Sequence, residues 1–408
     1  MKNKLISVIG LGYIGLPTAA LLANQGYKVV GTDINQHVVD TINRGEIHIV
    51  EPELASFVRS AVMAGRLKAS TVPHPGDIYI ICVPTPFHVG ETIPKPNIDY
   101  VLDAVNSLVP LIKSGDLVIL ESTSPVGTTD QIKAILVQAG VKIDEVHIAY
   151  CPERVLPGKI MTELVNNDRV VGGLNHHATK VVSNFYRTFV RGEVFETEAK
   201  TAEMCKLTEN SFRDVNIAFA NEISLICDKE GINVWNLIKL ANRHPRVNIL
   251  QPGVGVGGHC IAVDPWFVVS RDNENSKLIR TSREINNHKT DWVINKIKIA
   301  VSDVAAEYGK KPTIACLGLA FKPDIDDLRE SPALHVAESL SAQGYNIISV
   351  EPNIDSHDRF KIVKLEDALK DADVIAILVR HRDFITPIVK QKLQYKITLD
   401  FCGVLDAI

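Results

Sequence analysis

The chain lacks the features of several protein classes. No apolar run reaches the ~18 uninterrupted residues of a membrane-spanning helix. The apolar N-terminal segment is broken by glycines at 10, 12 and 15, which is unlike a secretory signal. The seven cysteines are scattered and contain no Cys-x-x-Cys pair, which argues against a disulfide framework or a structural zinc site. These absences predict a cytoplasmic protein with no membrane partner and no metal.

The chain also lacks a strong charge of either sign. Its 44 Lys and Arg residues against 48 Asp and Glu residues leave a formal net charge of −4, which gives no reason to expect nucleic acid as a partner. An anionic substrate must therefore be met by local basic residues. The 408 residues, 46% hydrophobic and 23% charged, predict a globular protein of two or three domains.

A glycine-rich turn follows the first predicted strand. Residues 4–9 form a short apolar run typical of a buried parallel strand, and Gly10, Gly12 and Gly15 come directly before a predicted helix. Such a turn lets a pyrophosphate approach the backbone at a helix N-terminus. Asp33, at the end of the next strand, can accept hydrogen bonds from an adenosine ribose and repel a 2′-phosphate. The pattern predicts NAD rather than NADP as cofactor.

Strands and helices then alternate, which predicts a parallel, doubly wound sheet. Three polar loops follow strands of this sheet. In such folds, ligands bind at the carboxyl ends of the strands, where these loops lie. Thr85 and Thr123 in the first two loops are candidate cofactor or substrate contacts, or else residues of Ser/Thr-Pro turns. Glu153 in the third loop is a candidate general base or water-positioning residue.

The alternation gives way to helical periodicity in the middle of the chain. A long helix is predicted over 198–230, with Lys206, Asn210 and Arg213 on one face. A lone lysine on a helix is usually a solvated surface charge. Because Asn210 and Arg213 lie beside Lys206 on a helix that leads toward the glycine-rich stretch, a functional role is equally favoured, so both interpretations stay open. Periodicity returns over 276–307, which predicts an all-helical central part.

A glycine-rich stretch at 253–258 precedes Cys260. Its four glycines permit positive φ and close approach of the backbone to a ligand, and neither a core strand nor a helix favours them. Cys260 is therefore a candidate nucleophile, although most cysteines are small buried hydrophobes.

The C-terminal part repeats the outline of the start. Gln343-Gly344-Tyr345 echoes Gln25-Gly26-Tyr27, and Glu351 follows as Asp33 does. The glycine fingerprint is missing, and Lys322 lies in the corresponding turn, which suits a different phosphate ligand.

The predicted fold is therefore α/β, with two Rossmann-like doubly wound parallel-sheet domains joined by an all-helical central domain with a long helix. The predicted boundaries are 1–196 for the NAD-binding domain, 197–306 for the central domain and 307–408 for the C-terminal domain.

A nicotinamide cofactor and a presented thiol in one chain suggest more than alcohol oxidation. A thiolate can trap an aldehyde as a thiohemiacetal, which hydride transfer oxidises to a thioester that water cleaves. The net result would be conversion of an alcohol to a carboxylate.

Motifs along the whole chain carry a family resemblance. In order they are the Gly-x-Gly-x-x-Gly turn, Ser122-Thr123-x-Pro125-Val126-Gly127-Thr128-Thr129, Pro152-Glu153, Lys206-Leu207-x-x-Asn210, Gly257-Gly258-x-Cys260 and Phe321-Lys322. Together they resemble the UDP-glucose/GDP-mannose dehydrogenase family. The resemblance implies two successive NAD-dependent oxidations at C6 of a UDP-sugar, and a homodimer built on the long helix.

The resemblance also implies roles for single residues. Cys260 would be the thioester nucleophile, Lys206 would stabilise oxyanion charge, Asn210 would hold the sugar or the attacking water, and Glu153 and Asp264 would serve acid–base steps. Further cofactor contacts are implied at Tyr13, Ile14, Asp33, Thr85, Thr123 and Arg329. Substrate contacts are implied at Arg154, Val155, Lys206, Asn210, Arg213, His244, Arg246, Gly257, Phe321 and Lys322. Arg246 is implied to reach the substrate of the neighbouring subunit, and Arg329 could equally pair with nearby acids.

Departures from the glucose-type pattern bear on the sugar. Arg154, Val155 and Pro157 replace that pattern's residues after Pro-Glu, and His259 stands where other branches carry small or aromatic residues. These changes favour a 2-acetamido sugar as part of the substrate. The leading hypothesis is that the substrate is UDP-N-acetyl-mannosamine. The alternatives are the same chemistry on UDP-GlcNAc, UDP-glucose or GDP-mannose, a two-electron hydroxyacid dehydrogenase, and an NAD-binding redox sensor in which Cys260 is reversibly oxidised.

Overall fold

The computed structural model describes residues 4–88, 90, 93–258 and 260–406. The expectation about His259 therefore concerns a residue outside the described ones. The chain divides after Thr208 into two compact units. The predicted division into three domains is finer than this one and stays a prediction.

The first unit is built on one sheet of eight strands. The strands are β1 (Leu5–Ile9), β2 (Lys28–Thr32), β3 (Leu67–Ser70), β4 (Ile78–Ile81), β5 (Leu117–Leu120), β6 (His147–Tyr150), β7 (Arg169–Gly173) and β8 (Val194–Glu198). Their order is β3-β2-β1-β4-β5-β6-β7-β8, and neighbours run parallel except for the antiparallel pair β6 and β7. The predicted doubly wound sheet is confirmed, with this antiparallel pair added.

Helices of the first unit pack on the sheet and bury its apolar side chains. They are α1 (Gly15–Asn24), α2 (Gln36–Asn43), α3 (Leu54–Met63), α4 (Asp99–Leu108), α5 (Thr128–Gln138), α6 (Ile160–Asn166), α7 (His176–Tyr186) and α8 (Ala199–Glu230), the last of which continues into the second unit. The central strands β4 and β5 consist of apolar residues that are all buried, as strands covered on both faces must be.

The second unit begins with helices and ends in a smaller sheet. Its elements after α8 are α9 (Val234–Ala241), α10 (Asp264–Arg271), α11 (Lys277–Tyr308), β9 (Thr313–Leu317), α12 (Pro332–Ala342), β10 (Asn346–Val350), α13 (Leu365–Asp371), β11 (Val374–Ile377), α14 (Pro387–Leu393) and β12 (Ile397–Asp400). The four strands are parallel in the order β10-β9-β11-β12, which confirms the second Rossmann-like half.

The predicted long helices agree with α8 and α11 within one residue at each end. Helix α10 was not predicted, although Pro265 in its first turn is a common helix-start residue. Nowhere in the described part of the chain does a helix have the length and hydropathy of a membrane span.

Candidate active site

The glycine turn after β1 lies where the strand order of the first sheet reverses, between β1 and β4. Gly10 has a φ of 89°, and a Cβ there would lie 2.7 Å from the Cys82 carbonyl oxygen. A Cβ at Gly15 would lie 1.8 Å from the Gly10 carbonyl oxygen. At Gly12, no atom of the described residues other than its chain neighbours lies within 4 Å of the Cβ position. The turn therefore packs tightly against the protein at two glycines and is open at Gly12.

The surroundings of this turn fit a dinucleotide. Helix α1 begins beside half-buried Tyr13 and Ile14, with no side-chain cap and no acid in its first turn, so its N-terminal N–H groups favour a phosphate. The half-buried Asp33 accepts the Leu11 N–H at 3.0 Å through Oδ2 and the Asn35 N–H at 2.9 Å through Oδ1. A carboxylate has about four acceptor positions. Asp33 therefore keeps acceptor capacity for a ribose diol.

Two polar loops meet at the carboxyl ends of β4 and β5. The Thr85 hydroxyl donates to the Thr123 carbonyl oxygen at 2.7 Å, so the structure brings these two predicted residues together. Both are half-buried. Their contact with a ligand stays a prediction.

The start of α5 is capped by a residue that the sequence analysis missed. Buried Glu203 of α8 accepts the Gly127 N–H at 2.6 Å, and the N–H and hydroxyl of Thr129 at 2.8 and 2.6 Å. Its own carboxylate thus fills a helix N-terminus that could otherwise hold an anion. No local pattern links Glu203 to residues so distant in sequence.

Glu153 is buried in a charged cluster. Its Oε2 accepts from Arg169 Nη1 at 2.6 Å, and its Oε1 accepts the Arg154 N–H at 2.6 Å. Arg169 is 1% exposed and also donates to the Leu164 carbonyl oxygen at 3.2 Å. Burial alone would lower the pKa of Arg169, but Glu153 and the other acidic groups around it raise that pKa.

A second carboxyl group belongs to the same cluster. Buried Glu121 accepts the Tyr186 hydroxyl at 2.6 Å and the Cys82 thiol at 3.4 Å. Burial raises the pKa of Glu121, and the charge of Arg169 opposes that rise. The sequence analysis did not identify Arg169, Glu121 or Tyr186, since only folding brings β5, β7 and α7 together.

Cys260 lies in the second unit at the turn that leads into α10. All seven cysteines are among the described residues, and Cys260 is the only exposed one. Burial raises the pKa of Cys151 and of Cys316 to about 12, so these thiols stay protonated at neutral pH. The Cys260 carbonyl oxygen accepts the N–H groups of Val263 and Asp264 at 3.0 and 2.8 Å.

Asn210 and Asp264 are joined in the second unit. Asn210 Nδ2 donates to Asp264 Oδ2 at 2.5 Å, and both residues are buried. The contact ties α8 to the first residue of α10. Asp264, which directly follows the Cys260 turn in the chain, is thus held by Asn210.

The glycine loop before Cys260 packs against protein. A Cβ at Gly255 would lie 2.5 Å from Thr290 Oγ1, one at Gly257 2.3 Å from the Glu330 carbonyl oxygen, and one at Gly258 2.8 Å from the Phe321 ring. The sequence analysis expected the glycines to permit close approach of a ligand. In the structure they permit close approach of neighbouring protein segments.

Two side chains hold the start of this loop, and neither was predicted. Asn221 of α8 accepts the Gly253 N–H at 2.9 Å and donates to Asn286 of α11 at 2.9 Å. The Thr290 hydroxyl donates to the Val254 carbonyl oxygen at 2.8 Å. The glycine loop is therefore anchored to the helix pair α8 and α11.

The remaining predicted residues have varied surroundings. Lys206 is half-buried on the part of α8 in the first unit, and in that unit Arg154 donates to the Asp168 carbonyl oxygen at 3.3 Å and Val155 packs on the core. In the second unit Arg213, His244 and Arg246 are exposed, and Phe321 and Lys322 are half-buried in the loop after β9.

Arg329 pairs locally, which is one of the two alternatives that the sequence left open. Its Nε and Nη2 donate to the two carboxylate oxygens of Asp327 at 2.8 and 2.6 Å. A cofactor contact by Arg329 stays a prediction.

Comparison with known proteins assigns the three parts of the chain. The NAD binding, central and UDP binding domains of the UDP-glucose/GDP-mannose dehydrogenase family match residues 4–190, 200–288 and 315–407. The UDP-N-acetyl-D-mannosamine dehydrogenase of Escherichia coli K12 is 56% identical over 94% of this chain and 95% of its own. The NDP-N-acetyl-D-galactosaminuronic acid dehydrogenase of Ralstonia nicotianae is 49% identical over 99% of this chain and 97% of its own.

A solved structure has the same fold along the whole chain. The UDP-N-acetyl-mannosamine dehydrogenase of Staphylococcus aureus superposes with a TM-score of 0.88 at 40% identity, covering 99% of this chain and 96% of its own. Together with the glycine turn and Asp33, these matches establish NAD as the cofactor. The chain belongs to the UDP-glucose/GDP-mannose dehydrogenase family and is an NAD-dependent nucleotide-sugar dehydrogenase.

Proposed function

We propose that the chain oxidises UDP-N-acetyl-D-mannosamine at C6 to UDP-N-acetyl-D-mannosaminuronate, with Cys260 as the nucleophile. The observation that carries the proposal is the exposed Cys260 in the turn before α10. The first residue of α10, Asp264, is hydrogen-bonded to Asn210 of α8. The names of the relatives at 56% and 40% identity support the choice of sugar.

The proposed reaction converts a C6 alcohol and water to a carboxylate, releasing two hydrides and three protons. Bound NAD supplies the hydride acceptor in two successive rounds. Between the rounds the Cys260 thiolate adds to the C6 aldehyde, and the thiohemiacetal so formed loses its hydride to become a thioester. Water attacks the thioester carbonyl, the C–S bond breaks, and Cys260 leaves as a thiolate.

The proposed roles of the other residues follow from their chemistry and the family resemblance. Lys206 stabilises negative charge on the C6 oxygen, as a positioned cation does. Asn210 holds the sugar or the attacking water, and Asp264, fixed by Asn210, takes protons from the reacting oxygens. Glu153, whose position Arg169 and the Arg154 N–H fix, serves the same acid–base work.

The proposed substrate contacts follow the family resemblance. They are Arg154, Val155, Lys206, Asn210, Arg213, His244, Arg246, Gly257, Phe321 and Lys322. Because the family's UDP binding domain matches residues 315–407, Phe321 and Lys322 are assigned to the nucleotide. The cofactor contacts proposed beside the glycine turn and Asp33 are Tyr13, Ile14, Thr85, Thr123 and Arg329.

We also propose a homodimer built on α8, with Arg246 acting on the partner's substrate. Phe212, Phe219 and Ile226 are exposed and spaced seven residues apart, which places them in one stripe of the helix. Mixing Cys260→Ser chains with Arg246→Ala chains tests this, because only a mixed dimer would regain one complete site. Mixtures no more active than the separate variants would contradict Arg246 acting across the dimer.

The test of the function is turnover on UDP-N-acetyl-D-mannosamine with NAD, followed by the mass of the protein. Two NADH per sugar and a covalent adduct on Cys260 in quenched samples are expected. Cys260→Ser should retain NAD binding and lose turnover. Cys205 is a half-buried cysteine of the first unit, and Cys205→Ser should retain turnover. One NADH per sugar, or full activity in Cys260→Ser, would refute the thioester route.

A panel of nucleotide sugars tests the choice of substrate. UDP-GlcNAc, UDP-glucose and GDP-mannose serve as alternatives, and the Ralstonia relative adds a UDP-N-acetyl-galactosamine arm. Preference for any of these over UDP-N-acetyl-D-mannosamine would refute the proposed substrate but not the proposed reaction mechanism.

A further inference from the structure

The two sheets contain the same turn at the same register. Ile9 pairs with Thr32 and with Ile81 in the first sheet, and Leu317 pairs with Val350 and with Ile377 in the second. Counting from these pairs, Gly10 corresponds to Gly318, Asp33 to Glu351 and Thr85 to His381.

Backbone geometry supports the correspondence. Gly10 and Gly318 have φ values of 89° and 94°, and each donates its N–H at 2.8 Å to the last residue of the next strand. Asp33 accepts the Leu11 N–H, and Glu351 accepts the Leu319 N–H at 2.8 Å. The acid that follows the second strand therefore binds the turn in both halves.

The two acids differ in the acceptor capacity that they retain. Glu351 is 2% exposed, and its Oε2 accepts from the Leu319 and Ala320 N–H groups at 2.8 and 2.9 Å and from His381 Nε2 at 3.0 Å. Its Oε1 accepts from the N–H and side-chain amide of Asn353 at 3.1 and 3.0 Å. Five protein donors occupy the roughly four acceptor positions of a carboxylate. Glu351 thus has no capacity left for a ribose diol.

His381 supplies one of these five donors and also holds the turn from its other end. It is fully buried beside Phe384. Its Nδ1 accepts the Asp324 N–H at 3.0 Å and lies 3.1 Å from Asn353 Nδ2. Because Nδ1 accepts, Nε2 carries the hydrogen that is donated to Glu351. One imidazole thus connects the acid to the end of the turn.

The segment held in this way carries the proposed nucleotide contacts. Glu351 fixes Leu319 and Ala320, and His381 fixes Asp324, so Phe321 and Lys322 lie between the fixed points. Asp324 has a φ of 60°, which is unusual for a residue other than glycine and needs support from its surroundings. That support comes from His381 and from Arg382, whose Nε lies 2.9 Å from the Asp324 carboxylate.

We propose that His381 is the positioning residue for the nucleotide of the substrate. It lies at the position where the first half has Thr85, adds a donor to Glu351 and fixes the 318–324 turn so that Phe321 and Lys322 meet the UDP group. The inference rests on the proposed function, which assigns these two residues to UDP. The 318–324 turn thereby presents side chains to a ligand, whereas the turn of the first half adjoins Asp33, which keeps acceptor capacity.

Paired substitutions separate the two nitrogens of His381. His381→Asn keeps an acceptor near the Nδ1 position, His381→Gln keeps a donor near the Nε2 position, and His381→Ala keeps neither. Glu351 binds the Leu319 and Ala320 N–H groups directly. Within the described part of the chain, the hydrogen bond between His381 and the 318–324 turn is the one from the Asp324 N–H. Loss of one such buried hydrogen bond corresponds to roughly a tenfold change in affinity.

The measurement is calorimetric titration of the full chain with UDP and, separately, with NAD, together with the melting temperature. We expect the Kd for UDP to rise ~10-fold in His381→Gln and His381→Ala and by less than ~3-fold in His381→Asn. The Kd for NAD should stay unchanged in all three. The matched control is His357→Gln, since His357 Nδ1 accepts the Arg359 N–H instead. The Asn and Gln variants carry the test if His381→Ala does not fold.

Three outcomes would count against the inference. Wild-type affinity for UDP in His381→Gln would overturn it, and so would equal losses of UDP and NAD binding with a lower melting temperature, which indicate general destabilisation. Failure of the wild-type chain to bind UDP would overturn the proposed function as well, and is thereby distinguished from failure of the inference alone.

Discussion

Asn210 donates a 2.5 Å hydrogen bond to Asp264 across the buried contact of α8 and α10. The two residues were predicted separately, Asn210 from a helix face and Asp264 from the family resemblance. Because of this contact, Asp264, which follows the Cys260 turn, is held in place by a side chain of α8.

Asn210→Ala removes this donor from a buried carboxylate. Leaving a buried polar group without such a donor costs ~1–3 kcal/mol. We expect kcat to fall roughly 10–100-fold with the Kd for NAD unchanged, as steady-state kinetics and calorimetry can measure. Asn216→Ala is the control, because half-buried Asn216 on the same helix donates to the Phe212 carbonyl oxygen and not to a carboxylate. Additive losses in Asn210→Ala and Asp264→Asn combined would show that the contact is not functional.

Asp33→Asn tests the choice of cofactor. The amide keeps an oxygen for the Leu11 N–H but loses the charge that repels a 2′-phosphate. The preference for NAD over NADP, measured as a ratio of kcat/KM, should narrow ~10-fold or more. Asp40→Asn, at an exposed site of α2, should leave the ratio unchanged. An unaltered ratio in Asp33→Asn would mean that another residue selects the cofactor.

Arg169→Leu leaves Glu153 and Glu121 buried without their cation. Breaking a buried ion pair on one side costs ~3–5 kcal/mol. We expect a marked fall in the melting temperature and partial recovery in the Arg169→Leu, Glu153→Leu double variant. Arg187→Leu breaks a more exposed pair with Glu196 in the same unit and should cost less than ~1 kcal/mol. Equal effects of the two arginine variants would contradict a buried charged cluster.

Lys289 makes stability depend on pH in the second unit. It is 3% exposed, donates to Ser224 Oγ at 2.7 Å and lies 4.0 Å from the Trp292 ring centroid. Burial lowers its pKa to about 7, Asp228 opposes the fall and Lys296 adds to it. Between that pH and the pKa of the unfolded lysine, the unfolded chain binds one more proton, so stability rises with pH.

Lys289→Met should therefore raise the melting temperature at pH 6 and flatten its rise between about pH 7 and 10. The difference in stability at pH 6 is on the order of a few kcal/mol, since each pKa unit corresponds to about 1.4 kcal/mol. Lys298→Met is the control, because the Lys298 amine donates a hydrogen bond to the exposed Gln343 side chain. The same pH slope in Lys289→Met and wild type would show that other groups cause it.

The architecture and most of the candidate residues could be predicted from the amino-acid sequence. Apolar strand runs, the glycine turn before α1 and the periodicity of α8 and α11 are local signals, because each reflects the backbone and burial needs of neighbouring residues. The echo between Asp33 and Glu351 was likewise visible as a repeat. Cys260 was identified because a glycine-rich stretch precedes it.

Which distant side chains meet could not be predicted from the sequence, because folding alone brings them together. Glu203 on the α5 start, Arg169 on Glu153 and Asn221 on Gly253 join elements whose spacing in sequence carries no shared pattern. The glycines at 255, 257 and 258 were correctly noticed, yet their close neighbours are protein segments, which composition cannot reveal. Likewise the echo gave Glu351 the position of Asp33, but five donors brought together by folding removed its free acceptor capacity. Local signals specify the elements, whereas burial and hydrogen-bond satisfaction across them fix what each polar group can still bind.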